Sequence, residues 1–236
     1  MSGLTIGIYG KLPAHPDFIS DSIHGEISNE LYEWGQTVLY HSQQELSETE
    51  WLSAYLVSPI WRMCVPSTDK RKHAWIGVMV PSVDAVGRYF PLFLVFEIAP
   101  KHVCVEWLFK EAATLFSILE KVSLQALQKR LSLGDVKRLL TDELASFELG
   151  ETLKAPVGVE NGTGLVTAQI SSEALLSFLS TPIVQVHSSL WWSFGEVHGR
   201  KDPLVLASNL PNSTDYQFLL TGRITQKSSV DLLEQS

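Results

Sequence analysis

Two nearly continuous apolar runs, Ala74–Val80 and Leu92–Ile98, constrain this chain more than any other feature. A strand with one buried face alternates apolar and polar side chains, whereas a strand covered on both faces does not. Both runs therefore predict central strands of a sheet with helices on each side. The connection between them reads Pro-Ser-Val-Asp-Ala-Val-Gly-Arg-Tyr-Phe-Pro, from Pro81 to Pro91. Each proline fixes its own φ and biases the residue before it towards an extended form. Gly87 can take a positive φ that would strain other residues. Asp84 and Arg88 can close this loop with a charge-assisted hydrogen bond. The same pair could instead face a partner or ligand, and composition and spacing do not choose between the two.

The remaining pattern supplies strands and helices for such a sheet. Leu4–Tyr9 reads as a first strand, and it runs into an irregular loop with Gly10-Lys11-Leu12-Pro13 and His15-Pro16-Asp17-Phe18. Ile27, Leu31, Trp34 and Val38 fall on one helix face. Ser47 and Glu50 form a capping box ahead of a second helix, which should stop near Ser58, before Pro59. Ile60–Val65 is a further apolar strand, with Arg62 inside it. A buried arginine needs a partner, and Asp84 and Asp17 are the candidates. Cys104, Trp107, Leu108, Ala112, Leu115, Val122 and Ala126 trace one long helix, broken at Gly134-Asp135. Val136, Leu139, Leu140 and Leu144 then mark another.

From Gly150 to Gly164 the chain reads as a surface connection, and Ser172–Ser180 as a short helix. Ser189–Phe194 is a strand with aromatic residues on both faces, Pro203–Ser208 another, and Gly195–Asp202 a hairpin loop between them. Tyr216–Leu220 closes the fold as a helix. We expect a single domain over residues 1–224 and a polar tail over 225–236.

Composition narrows the function classes. Of 236 residues, 45% are hydrophobic and 19% charged, the balance of a globular chain with a sizeable core. The net charge of −8 argues against a nucleic-acid binder, which needs a basic surface. The short basic cluster Lys70-Arg71-Lys72-His73 does not reverse this; it reads as a solvated turn before a strand, the alternative being a patch for an acidic partner. Cys64 and Cys104 sit in apolar surroundings and read as buried free thiols in a reducing compartment. No signal peptide or membrane-spanning run stands out, so the cytoplasm is the default location.

Chemistry is sparse. Gly10-Lys11 suggests a phosphate loop but fails it, because Thr5 and Leu12 stand where a Walker A loop needs glycine and a hydroxyl residue. No Gly-x-Ser-x-Gly elbow, dinucleotide fingerprint or paired metal ligands appear. His187 and Ser189 are close but lack a third member and read as structural. The Asn161-Gly162-Thr163 acceptor is irrelevant to a cytoplasmic chain. No catalytic residue, metal or cofactor is expected. The excess is in aromatics near loops: Tyr9, Phe18, Trp61, Tyr89, Phe90, Trp191 and Trp192. Most suit a core; a few at a sheet edge would suit protein recognition.

Four stretches together resemble one family: Tyr9–Pro13 with Asp17-Phe18; Ser58–Arg62; Pro81–Asp84 with Val86–Pro91; and Ser189–Trp192 with Leu210-Pro211. They are similar to the TagF (also ImpM) family associated with bacterial type VI secretion. The resemblance implies a three-layer α/β/α sandwich around a mixed, mostly antiparallel sheet. It also implies a cytoplasmic, non-enzymatic repressor that acts after translation by protein–protein binding, with an Fha-type scaffold as the partner. The motif residues it singles out are Gly10, Lys11, Pro13, Asp17, Trp61, Arg62, Asp84, Gly87 and Arg88. Ser82, Tyr89, Trp191 and Trp192 lie in the same stretches. The alternative is a small-ligand or anion sensor, or an enzyme, with Lys11, Asp17, Arg62, Asp84 and Arg88 converging at one end of the sheet.

Overall fold

The computed structural model describes residues 5–67, 74–98, 108–109, 112–147, 189–197, 199–201, 203–207 and 209–223. In chain order they form β1 (Gly7–Gly10), β2 (Ile19–Asp21), α1 (Gly25–Glu45), α2 (Glu48–Val57), β3 (Trp61–Val65), β4 (Ala74–Val80) and β5 (Leu92–Ile98). Then follow α3 (Ala113–Gln128), α4 (Leu133–Leu144), β6 (Ser189–Trp192), β7 (Glu196–Val197), β8 (Arg200–Lys201), β9 (Leu204–Ala207) and α5 (Ser213–Thr221).

β4 and β5 are the central pair that their composition requires. They run antiparallel over their full length, Ala74 opposite Ile98 and Val80 opposite Leu92. The seven-stranded sheet has the order β2-β1-β5-β4-β3-β6-β9. All its described neighbours pair antiparallel. Side chains alternate between two cores. Ile76, Val78 and Leu94 face α3 and α4, where Phe116, Leu119 and Leu140 meet them. Trp75, Met79 and Phe93 face the other layer, where Leu31, Trp51 and Phe218 come from α1, α2 and α5. The result is a three-layer α/β/α sandwich. Trp191 and Trp192, adjacent on β6, enter opposite cores, as the period of a strand demands.

Helix ends follow local chemistry. The Ser47–Glu50 capping box is present at α2, and the chain leaves that helix at Ser58. A second box, Asn212 with Asp215, starts α5 earlier than its apolar residues suggest, and Gly222 ends it in the left-handed region. The break between α3 and α4 does not lie at Gly134-Asp135, which belong to the first turn of α4. It lies at 129–132: Arg130 turns left-handed, and the Ser132 side chain caps α4 by accepting from the Asp135 N–H. β2 has no counterpart in the sequence pattern, because three residues flanked by a proline-rich loop carry no periodic signal. The loop between β6 and β9 contains a small ribbon, β7 with β8. The basic cluster 70–73, Cys104, the 150–164 connection, the 172–180 helix, His187 and the tail from 225 lie outside the described residues.

Candidate functional site

The register of the sheet gathers the motif stretches. Gly10 and Val80 both lie opposite Leu92, so β1 ends, β4 ends and β5 begins at one end of the sheet. Lys11 therefore leaves β1 beside the Pro81–Pro91 connection. Gly10 makes that approach possible: its φ is +118°, and a Cβ there would sit 2.0 Å from the Pro91 carbonyl oxygen. The connection folds back on itself through the Asp84 N–H to the Arg88 carbonyl at 3.1 Å and the Gly87 N–H to the Asp84 carbonyl at 3.2 Å. Gly87 takes a φ of +92° at this turn. Val83 and Tyr89 bridge across it.

Asp84 organises the loop. Its Oδ1 accepts from the backbone N–H groups of Val86 (3.0 Å) and Arg88 (2.9 Å). Its Oδ2 accepts from Lys11 Nζ and Arg88 Nε, both at 2.7 Å. The Asp84 side chain has no exposed surface and that of Lys11 only 5%. Burial alone would raise the Asp84 carboxyl. The hydrogen bonds from Lys11, from Arg88 and from the Val86 N–H outweigh it and hold the carboxyl well below the usual carboxylate range. A carboxylate offers about four acceptor positions. Asp84 fills that number from within the chain, which leaves it no capacity to act as a base or to bind a ligand directly.

The surroundings brace this centre. The Ser82 hydroxyl donates to the Lys11 carbonyl at 2.7 Å. The Tyr55 hydroxyl donates to the Ser82 carbonyl at 2.9 Å and accepts from the Ser82 N–H at 3.1 Å. The Ala85 N–H donates to the His15 carbonyl at 2.8 Å. Arg88 also donates to the Pro16 carbonyl and lies 3.8 Å from Asp17. The Lys11 ammonium stands 5.0 Å from the Phe18 ring centre. Pro13 is buried, and its carbonyl accepts from Arg130 at 2.8 Å. Tyr89 packs edge-on against Trp51 and Tyr55, with ring centres 5.4 Å apart in both contacts. The loop turns outward its tip, Ala85 to Arg88, where the large side chains are Val86, 65% exposed, and Arg88, whose side chain is 56% exposed.

Lys11, Asp17, Asp84 and Arg88 thus come together, and Arg62 does not join them. Its expected partners, Asp84 and Asp17, are replaced by Glu120 of α3. Arg62 Nε meets Glu120 Oε1 at 2.7 Å, and its second nitrogen meets Oε2 at 2.8 Å. The physical reason is strand parity: Arg62 shares its face with Cys64, towards α3, and its guanidinium lies 4.4 Å from the Phe194 ring centre. Trp61, Trp191 and Trp192 are fully buried core residues. Ser189 donates to the Asn209 carbonyl and accepts from the Trp191 indole, a packing role. Burial pushes the Cys64 thiol up to about 12. Among the described residues no cluster of His, Cys, Asp or Glu could hold a metal ion.

The two ion pairs predict different sensitivities. Glu120→Ala leaves the nearly buried Arg62 guanidinium without its bidentate acceptor and is expected to cost about 2 kcal/mol. Removal of the neighbouring Lys121, whose side chain is 53% exposed and pairs with Glu143, should cost under about 1 kcal/mol. Urea unfolding of the two variants side by side checks the order; equal losses would contradict it.

Sequence reasoning missed Tyr55, His15, Glu120 and Arg130. None of the four carries a local signal that marks it out. Each acts through a contact with a residue far away in the chain.

The family model of the TagF N-terminal domain, type VI secretion system-associated, matches residues 7–142. The fold is similar to the crystal structure of PA0076 from Pseudomonas aeruginosa PAO1. The TM-score is 0.71 at 24% identity, over 94% of this chain and 96% of that one. No curated protein sequence matches the chain.

Proposed function

The chain belongs to the family of TagF N-terminal domains associated with type VI secretion, and from that membership we propose that it restrains a bacterial type VI secretion system after translation. It does so in the cytoplasm, by binding a component of the apparatus, an Fha-type scaffold, and without catalysing a reaction. The observation that favours binding over catalysis is the saturated Asp84 carboxylate. All four of its described hydrogen bonds come from Lys11, Val86 and Arg88. The loop is thereby shaped from within, and it offers a partner Val86 and Arg88 rather than a reactive group. Among the described residues no helix is long and apolar enough to cross a membrane.

The test is secretion of a type VI substrate in the source bacterium, with this gene deleted and then overexpressed. Deletion is expected to raise secretion and overexpression to silence it. Co-purification of the scaffold with the overexpressed chain should accompany silencing. Unchanged secretion in both strains would overturn the proposal. Val86→Asp, at the exposed tip, should keep the melting temperature and lose silencing.

A further inference from the structure

A cleft of about 270 Å³ opens beside the motif loop, between the last turn of α2 and the end of α3. Pro13, Leu56, Pro81, Val83 and Leu127 give it apolar walls, and Arg130 is the one charged residue among those lining it. Sites that engulf a small molecule usually run to roughly 300–1,000 Å³. This cleft falls just below that range, and it suits one or two side chains projecting from a longer chain. Leu56 at its edge is 60% exposed and Val57 beside it 71%, so apolar surface continues outward from the cleft.

Arg130 is the informative residue. It occupies the position after the cap of α3 with a φ of +49°. The Leu131 N–H returns to the Ala126 carbonyl at 2.9 Å and the Arg130 N–H to the Leu127 carbonyl at 3.2 Å. This is a Schellman turn, in which glycine is the usual residue because a Cβ is strained there. Arginine at this position accepts backbone strain in return for a side chain. One of its N–H groups donates to the Pro13 carbonyl. A guanidinium carries five such donors, and no carboxylate among the described residues pairs with this one. A cation with no carboxylate partner among the described residues thus stands at an apolar cleft. A carboxylate brought to this rim would meet a guanidinium with donors to spare.

We infer that the cleft holds a short segment of a partner protein in which an apolar side chain is followed by an acidic one. The apolar side chain lies against Leu56, Val83 and Leu127, and the carboxylate pairs with Arg130. The inference deepens the protein-binding reading above and rests on it.

The probe is a set of short synthetic peptides with Leu, Ser or Lys at a central position and Asp, Asn or Lys at the next, titrated against the full chain. Wild type is expected to bind the Leu-Asp peptide about fivefold more tightly than Leu-Asn, the scale of one exposed ion pair. Ser-Asp should be weaker still. Arg130→Gly installs the residue ordinary for this turn, so it should fold with a melting temperature close to wild type. It should abolish the gap between Leu-Asp and Leu-Asn and keep the preference for Leu over Ser. Leu56→Asp should lose Leu-Asp binding altogether. Equal binding of Leu-Asp and Leu-Asn by wild type, survival of the gap in Arg130→Gly, a preference for Leu-Lys, or no saturable binding would each overturn the inference. Normal repression of secretion alongside any of those results would leave the regulator reading standing. A clear peptide gap with unchanged secretion on gene deletion would remove the regulator reading and keep the cleft.

Discussion

Asp84→Ala is expected to lower the stability of the chain by about 3–5 kcal/mol, the scale of breaking one side of a buried ion pair. The loss is large because Lys11, with a side chain 5% exposed, is left as a buried ammonium whose carboxylate is gone. The Val86 and Arg88 N–H groups lose their acceptor at the same time. Lys11→Met should cost less, since Asp84 keeps Arg88 and both backbone donors. Combining Lys11→Met with Asp84→Asn should recover part of the loss, because no unpaired charge is then buried. Urea unfolding midpoints rank the three; a Lys11→Met loss as large as that of Asp84→Ala would contradict the account. The pH dependence has a definite sign. The folded-state carboxyl of Asp84 lies below its ordinary value. Its contribution is therefore complete at neutral pH, present above the unfolded pKa of about 4, and lost as the pH falls through the folded value. Wild type should lose stability on acidification below about pH 4 more steeply than Asp84→Asn does.

Gly10→Ala should cost on the order of 3 kcal/mol. The added methyl would stand 2.0 Å from the Pro91 carbonyl oxygen, and the obstacle is backbone rather than a side chain that can swing away. Relief requires moving the end of β1 away from the start of β5, which also pulls Lys11 from Asp84. Gly87 provides the control. Its φ of +92° is strained for alanine, but nothing lies within 4 Å of the new carbon. Gly87→Ala should therefore cost only about 1–2 kcal/mol. Thermal unfolding of both variants separates steric exclusion from conformational strain. Equal shifts in melting temperature would mean that the close approach at Gly10 is tolerated.

Several parts of this structure are legible from sequence because their cause is local. Burial of β4 on both faces is written in the run from Ala74 to Val80, where no polar residue interrupts. The start of α2 follows from Ser47 and Glu50, three residues apart, which satisfy each other without help from the rest of the chain. Pro81, Gly87 and Pro91 mark a shaped connection for reasons internal to their own backbones. Of the five charged residues that the sequence singles out, Lys11, Asp17, Asp84 and Arg88 meet, and Arg62 pairs elsewhere, with Glu120.

The partner of each buried charge was a different kind of question. Lys11 and Asp84 are 73 positions apart, and Arg62 and Glu120 are 58. Sequence shows that Arg62 needs an acid and that several are on offer. Which one it receives depends on the parity of β3, on which face α3 covers, and on the order of strands in the sheet. Arg130 gives the same lesson: a basic residue at the end of a helix looks like solvated surface until the left-handed turn and the packing of α3 beside the loop aim it at Pro13 and the cleft. Backbone form follows from neighbours along the chain, so it could be read from the letters alone. Charge pairing and cleft shape follow from neighbours across the fold, so only the assembled layers decide them.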